Sequence, residues 1–178
     1  MNNFDNLKRH LIDTIKEEQI KLGYSEETIR LYYPLKSLNR LTGVQLDTES
    51  MSEHLAGFKD YVKDDFGQLE ISEKNGRFCI SLPPQACVYV HEHTPDHGFM
   101  YDFIDVIARH DVRIDDILNV FHRYSDHVHF KRADHGEFDH LIYFEDGDPD
   151  DYRYCLTDEG PHMIYHRYTP EEYEALGL

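Results

Sequence analysis

Apolar side chains in the first third of the chain recur every three or four residues, the spacing of one face of an α-helix. This spacing predicts a first helix that ends before Gly23, a residue suited to a helix C-terminus. Ser25 is expected to cap a second helix that runs to Thr42 and is broken at Pro34, which lacks the backbone N–H of a continuous helix. The apolar positions of the first helix are Phe4, Leu7, Leu11, Ile15 and Leu22.

A second apolar stripe predicts a third helix. Ser50 and Glu53 have the three-residue spacing of an N-terminal capping box, and Gly67 marks the expected end of the helix. The stripe consists of Met51, Leu55, Phe58, Val62 and Phe66. Because its members are three or four residues apart, they share one face of the helix and are expected to join the core.

After the third helix the apolar pattern changes to alternation, which is typical of β-strands. Asn75-Gly76 accepts positive φ at both positions and therefore predicts a hairpin over residues 69–82. With these two residues as the loop, Ile71 pairs with Ile80 and the aliphatic side chains meet on one face of the hairpin.

The remaining segments predict further helices and a second set of strands. Residues 84–93 fit either a short helix with Pro84 in its first turn or a strand, and we favour the helix. Two helices are predicted over residues 99–110 and 114–124. Because a hairpin is expected to follow them, the order of elements resembles that of a winged helix. Short runs rich in Tyr, Phe and Ile then predict an antiparallel meander of three or four strands. These runs cover residues 128–132, 138–144, 152–156 and 163–168.

Together these elements predict an α+β fold. Its parts are N-terminal helices, a β-hairpin, a winged-helix-like helix pair and a C-terminal antiparallel meander, followed by a short helix that begins at Thr169-Pro170. Neither an internal repeat nor a change in composition divides the sequence. We therefore expect residues 1–178 to form a single domain; the alternative is a helical half, residues 1–67, packed on an α+β half, residues 68–178.

Composition adds a strong acidity to this picture. The chain has 35 Asp and Glu against 18 Lys and Arg, a formal net charge of −17 with neutral histidines. A nucleic-acid partner is not expected, because such proteins neutralise phosphates with basic residues, and the second helix of the pair would present Asp115 and Asp116 to a DNA groove. The sequence lacks an apolar run of about 20 residues that would span a membrane. It also lacks the apolar core of a signal peptide, so we expect a cytoplasmic protein.

The three cysteines are expected to be reduced thiols, since their number is odd and they form no CxxC pair. They are Cys79, Cys87 and Cys155. Cys155 could act as a thiolate with His162 or His166 as its base, but it lies in an apolar run and is expected to be buried. The sequence has no Gly-rich phosphate loop, nucleophile elbow or dinucleotide motif, so it predicts no catalytic or cofactor-binding residue.

Several strings spread over the chain carry a family resemblance. Residues 27–35 have the sequence ETIRLYYPL, residues 115–121 DDILNVF, and residues 138–144 FDHLIYF. Tyr154-Cys155 and the later YHRYT of residues 165–169 continue the pattern. These strings resemble an uncharacterised bacterial protein family, a domain of unknown function (DUF3877-like), nearly from end to end. Because none of them is a catalytic signature, the resemblance implies a bacterial protein of this size and implies no activity.

Thirteen histidines supply candidate metal ligands. The clustered ones are His91, His93, His97, His127, His129, His162 and His166. His127 and His129 would share one face of a strand, with Asp126 or Asp134 to hold a ring N–H. A zinc site needs three or four converging ligands, and the sequence offers no HExxH motif or Cys pair. We expect histidines at the surface or packed on strands and no cofactor, with a bound metal as the alternative.

Two acidic motifs resemble metal sites but lack essential parts. Asp146, Asp148 and Asp150 occupy the first, third and fifth positions of an EF-hand loop. Asp151 and Thr157 stand where that loop needs Gly and a bidentate Glu, so we expect an acidic turn. The dipeptide His110-Asp111 matches metal-dependent phosphohydrolases, which use an all-helical scaffold that the predicted strands exclude.

The remaining feature is acidity combined with many tyrosines, a residue type enriched at protein-binding surfaces. The candidate partner-binding residues are Tyr152, Tyr154, Tyr165 and Tyr168. Tyrosines on strands also pack in ordinary sheets, which is the alternative for these four. The sequence predicts a non-catalytic protein-interaction or regulatory module that binds a basic or neutral protein. A metal-assisted hydrolase or metal-binding protein that uses the His and Asp clusters is the alternative function.

Overall fold

The computed structural model of the chain describes residues 4–94, 97–133 and 136–177. The chain forms two compact units, Met1–Pro95 and Asp96–Leu178, here called the N-terminal and C-terminal units. Each unit contains its own antiparallel sheet. The predicted hairpin belongs to the N-terminal unit, since it shares a sheet with a strand that precedes residue 67. That the two units unfold as one domain stays a prediction.

The described part of the N-terminal unit contains four helices and three strands. In chain order these are α1 (Asp5–Leu22), β1 (Ile29–Pro34), α2 (Leu35–Thr42), α3 (Thr48–Phe66), β2 (Glu70–Lys74), β3 (Arg77–Leu82) and α4 (Pro84–His93). The strands form a sheet in the order β1-β3-β2. The helical alternative favoured for residues 84–93 is confirmed, with Pro84 in the first turn of α4.

The predicted second helix is wrong in its first part, because residues 29–34 form β1 and pair antiparallel with β3. Alternate residues of β1 point to the same side of the sheet, and Tyr33 is buried there at 5% exposure. β-branched and aromatic side chains favour this extended pairing over a helix. The break at Pro34 is confirmed, since α2 begins at Leu35, whereas Ser25 lies outside any helix.

The two predicted apolar stripes of α1 and α3 form the core of the N-terminal unit. Leu7, Leu11, Ile15 and the five stripe residues of α3 are all fully buried. Leu22 does not belong to this face, since it is 80% exposed at the end of α1. The N-cap of α3 is Asp47 rather than Ser50, and its carboxylate accepts a hydrogen bond from the Ser50 N–H at 2.9 Å.

The predicted hairpin register is confirmed. Ile71 lies opposite Ile80 and Lys74 lies opposite Arg77. Asn75 and Gly76 have φ of 54° and 74°, as the two loop positions require. The local turn sequence therefore determines the pairing of β2 with β3.

The C-terminal unit confirms the predicted helix pair and meander. Its described elements are α5 (Phe99–Ile107), α6 (Ile114–Tyr124), β4 (Val128–Arg132), β5 (His140–Phe144), β6 (Arg153–Asp158), β7 (Met163–Tyr168) and α7 (Pro170–Leu176). The sheet has the order β4-β5-β6-β7, with every neighbouring pair antiparallel. The fold is therefore α+β. α5 is shorter than predicted and ends at Ile107, so His110 lies in the following turn.

An aromatic cluster joins one face of this sheet to α5 and α6. The ring centroids of Phe99 and Phe144 are 4.9 Å apart, and those of Phe103 and Tyr154 are also 4.9 Å apart. Phe121 of α6 lies 5.2 Å from Tyr154. All three pairs have the edge-to-face geometry that aromatic rings prefer, and these contacts hold the helix pair on the sheet.

α7 follows the last strand directly. The helix predicted to begin at Thr169-Pro170 is confirmed, and Thr169 and Glu172 form a capping box at its N-terminus. Tyr173 is half-buried with its ring centroid 6.3 Å from that of Phe138, whereas Leu176 is 45% exposed. None of the described helices is both long and apolar enough to cross a membrane.

Candidate functional site

The two candidate histidines described in the N-terminal unit, His91 and His93, lie on tyrosine rings at the surface. His91 and His93 are exposed on α4, and their rings stack on Tyr24 at 4.2 Å and Tyr89 at 4.4 Å. The Nδ1 atom of His93 is also 2.9 Å from the Tyr89 carbonyl oxygen. Each ring is therefore held by a separate tyrosine rather than directed at a shared point.

The strand histidines are also dispersed. His127 precedes β4 and is exposed, while the ring of His129 stacks on Tyr143 at 4.5 Å. Glu145, rather than Asp126, is the carboxylate at His129, with 3.6 Å between Nδ1 and Oε1. Asp134, the other carboxylate considered, lies outside the described residues.

The other histidine candidates are exposed. His97 precedes α5, and His166 lies on β7. The ring of His162 is 5.2 Å from that of His110, whose Nδ1 atom is 2.7 Å from Asp111 Oδ2. Within residues 4–94, 97–133 and 136–177, no three His, Cys, Asp or Glu side chains converge in a way that could hold a metal ion.

Cys155 is buried, as the sequence predicts, and lies opposite His166 in the pairing of β6 with β7. Burial raises the pKa of the Cys155 thiol to about 11. At neutral pH the thiol is therefore protonated, and the nucleophilic thiolate that catalysis would need is scarce.

The four candidate tyrosines do not form a common surface. Tyr154 is fully buried in the aromatic cluster and Tyr152 is 7% exposed. Tyr165 and Tyr168 are half-buried on β7, one on each face of the sheet, since they are three residues apart. Burial removes Tyr152 and Tyr154 from any partner-binding surface of this conformation.

A buried acid-base cluster was missed by the sequence analysis. The Tyr154 hydroxyl donates to Asp150 Oδ2 at 2.6 Å, and the Tyr152 backbone N–H donates to Asp150 Oδ1 at 3.2 Å. Arg167 Nη1 lies 3.9 Å from Asp150 Oδ2, and these two side chains are only 6% and 10% exposed. Desolvation raises the pKa of Asp150 to about 6, although Arg167 and the two hydrogen bonds act in the opposite direction.

This cluster explains why the three aspartates of the EF-hand-like motif do not converge. The Asp150 carboxylate is directed to Tyr154 and Arg167, so it does not join Asp146 and Asp148 around a common point. Alternation along β7 could have revealed the cluster, because it places Arg167 on the same face as Met163, which is buried. A buried arginine requires an acidic partner.

A charged pocket of about 310 Å³, here called the sheet-end pocket, was also missed. Its lining consists of Arg132, Ala133, Asp139, His140 and Asp158. These residues lie at the C-terminal ends of β4 and β6 and the N-terminal end of β5. The strand pairing brings Asp139 and His140, at the start of β5, to Arg132 and Asp158 at the ends of the two neighbouring strands, and no local pattern of the sequence contains this arrangement.

His140 is the buried member of the sheet-end pocket. It is 5% exposed, and its Nδ1 atom has no hydrogen-bond partner in the described part of the chain. Burial and the nearby Arg132 lower the pKa of the imidazole, against the opposite effects of Asp139 and Asp158. Asp139 Oδ2 accepts the Asp158 N–H at 2.8 Å, which fixes one carboxylate at the mouth of the pocket.

The acidity of the chain is concentrated in one unit. Residues 96–178 contain 20 Asp and Glu against 7 Lys and Arg, a formal charge of −13 with neutral histidines. Residues 1–95 contain 15 Asp and Glu against 11 Lys and Arg, which gives −4. The C-terminal unit therefore carries most of the electrostatic field of the protein.

Comparison with known protein families identifies a matching family. The family model described as "Domain of unknown function, E. rectale Gene description (DUF3877)" matches residues 4–177. The match extends over both compact units. No curated protein and no solved structure matches the chain.

Proposed function

The chain belongs to this family, and since the family description assigns no activity, we propose a function from the charge distribution: a non-catalytic protein-interaction or regulatory module. Its C-terminal unit binds a basic protein partner. The observation that carries the proposal is the charge of −13 on residues 96–178, against −4 on residues 1–95. Such a field accelerates the encounter with a partner of opposite charge.

Internal pairing of the cations supports this function. Arg109 lies 2.5 Å from Asp105, and Arg123 lies 3.1 Å from Asp102. Arg167 is buried beside Asp150. Three of the seven Lys and Arg side chains of this unit therefore already pair with its own carboxylates. The carboxylates that outnumber these cations determine the charge that a partner meets.

One end of the C-terminal sheet offers exposed carboxylates for this contact. The Glu145 N–H donates to the His127 carbonyl at 2.8 Å and so brings the loop after β5 beside the loop before β4. Asp126, Glu145 and Asp146 are exposed on these two loops, here called the acidic loops. A basic side chain of a partner would meet several carboxylates there, which gives electrostatic complementarity.

The test compares two triple variants that remove the same charge from different units. The first carries Asp126→Asn, Glu145→Gln and Asp146→Asn in the acidic loops. The matched control carries Glu53→Gln, Asp60→Asn and Asp64→Asn, which are exposed on α3 of the N-terminal unit. Partners recovered from the native host with the wild-type chain are purified, and their association rates are measured with all three proteins.

We expect the acidic-loop variant to associate several-fold more slowly, while the α3 control retains the wild-type rate. The wild-type rate should also fall between about 50 and 300 mM salt, over which the Debye length shrinks from about 14 to 6 Å. Equal effects of the two variants would place the contact elsewhere. A partner whose association ignores salt would contradict the electrostatic mechanism.

A further inference from the structure

The sheet-end pocket has charges of opposite sign on its two sides. Arg132 lies opposite His140 in the pairing of β4 with β5, and His140 lies opposite Leu156 in the pairing of β5 with β6. Asp158 follows Leu156 by two residues and therefore shares its face of the sheet. The guanidinium of Arg132 and the carboxylate of Asp158 thus flank the buried imidazole of His140, one strand away on either side.

These charges do not neutralise one another directly. Arg132 forms no ion pair with Asp139 or Asp158 in the described part of the chain, although all three side chains lie close enough to affect the titration of His140. β4 and β6 are separated by two strand spacings, about 10 Å.

The unpartnered imidazole nitrogen points to an occupant of this pocket. Buried polar atoms in folded proteins almost always have a hydrogen-bond partner, from the protein, from water or from a ligand. Only 5% of His140 is exposed, yet its Nδ1 atom has no hydrogen-bond partner among the described residues. The volume of about 310 Å³ is at the lower end of the range for small-molecule sites.

The geometry points to a binding site for the zwitterionic head of a free α-amino acid. Its carboxylate pairs with Arg132, its ammonium group pairs with Asp139 and Asp158, and His140 Nδ1 hydrogen-bonds the head between them. A simple anion would meet two uncompensated carboxylates, and a simple cation would meet the guanidinium. A molecule that carries both charges gives each charged residue of the lining a partner of opposite charge. The inference does not depend on the proposed protein partner.

The first experiment uses three probes of matched shape with the full chain. L-alanine carries both charged groups, propionate lacks its amine, and ethylamine lacks its carboxylate. Binding is followed through the ring nitrogen resonances of His140 in a nitrogen-15 NMR titration. We expect L-alanine to shift these resonances saturably, with a dissociation constant below about 10 mM for so small a ligand. Propionate and ethylamine should each bind at least tenfold more weakly.

Two variants of neighbouring cations provide the second test. Arg132→Gln should weaken L-alanine binding at least tenfold. Lys131→Gln removes the same charge from the adjacent position of β4, which faces the other side of the sheet, and should leave the affinity unchanged. Both residues are exposed, so both variants should retain the fold.

Three results would overturn the inference. An absence of any saturable His140 shift up to about 50 mM L-alanine would show that the pocket does not bind the head group. Propionate binding as tight as L-alanine would show a simple anion site. An equal loss in the Lys131→Gln control would show that net charge, rather than the pocket, determines binding.

Discussion

Asp150 gives the C-terminal unit a specific pH dependence. Its pKa is about 6 in the folded protein, against an ordinary value of 3.8, because burial penalises the carboxylate more than Arg167 and the hydrogen bonds favour it. Between these two values the folded protein holds a proton that the unfolded chain has lost. This group therefore lowers the free energy of unfolding as the pH rises through that window.

The magnitude follows from the size of the shift. A difference of about 2.2 pKa units at about 1.36 kcal/mol per unit corresponds to about 3 kcal/mol of stability lost in total. About 2 kcal/mol of this loss falls between pH 4 and pH 7.5, since the remainder lies below pH 4. Asp150→Asn has no charge to bury and removes this pH-dependent contribution.

The assay is urea unfolding followed by circular dichroism at intervals from pH 4 to pH 7.5, for the wild type and for Asp150→Asn. We expect the wild type to lose about 2 kcal/mol relative to the variant over this range. The loss of the Asp150 carboxylate also alters the surroundings of Arg167. Because Arg167 stays charged throughout this range, that change does not by itself give the two pH profiles different slopes. The measured quantity is the difference between the free energies of unfolding of the wild type and the variant at each pH, so neither absolute stability is needed.

Asp146→Asn is the matched control, because Asp146 lies in the same turn but is exposed. Its carboxylate accepts the Asp148 N–H through Oδ1, an acceptor that Asn retains. The control should therefore follow the wild-type pH profile. Parallel profiles for Asp150→Asn and the wild type would refute the argument, since they would show that Asp150 titrates alike in the folded and unfolded chains.

Two further predictions concern the hairpin and the histidines. Gly76→Val should lower the free energy of unfolding by about 1 kcal/mol or more, because a β-branched residue is strained at φ 74°; an unchanged melting temperature would contradict this explanation. The protein purified without metal contact should hold less than stoichiometric zinc by elemental analysis. His127→Ala combined with His129→Ala should change stability by less than about 1 kcal/mol at neutral pH, and stoichiometric zinc that disappears in this double variant would instead favour a metal-dependent function.

Local patterns were sufficient for the parts of the fold that neighbouring residues determine. The turn at Asn75-Gly76 specifies its own hairpin register, and the stripe of α3 specifies its buried face. The strand at residues 29–34 was mistaken for a helix because its partner, β3, begins more than 40 residues later. A short-range pattern of apolar residues cannot reveal a pairing over that distance. The segment can form either a helix or a strand, and its pairing with β3 makes it a strand.

The candidate sites depend on the same long-range information. Asp150 meets Arg167 through the pairing of β6 with β7, and the sheet-end pocket assembles the ends of three strands. The histidine clusters, by contrast, are close in sequence but dispersed in space. Proximity along the chain was therefore a poor guide to chemistry here, whereas alternation along each strand, combined with the register, identifies which charged residues face inward.

The acids of the C-terminal unit serve different purposes, and this limits what its net charge can mean for a partner. Asp116 and Glu172 accept backbone N–H groups at the starts of α6 and α7, and Asp150 is buried. Their charges contribute to the field at a distance, but their carboxylates are committed to the fold. A partner contacts carboxylates that are exposed, and those of Asp126 and Glu145 are exposed on the two acidic loops. A local loss of three charges in the acidic loops is therefore a stronger test of binding than a change in the total.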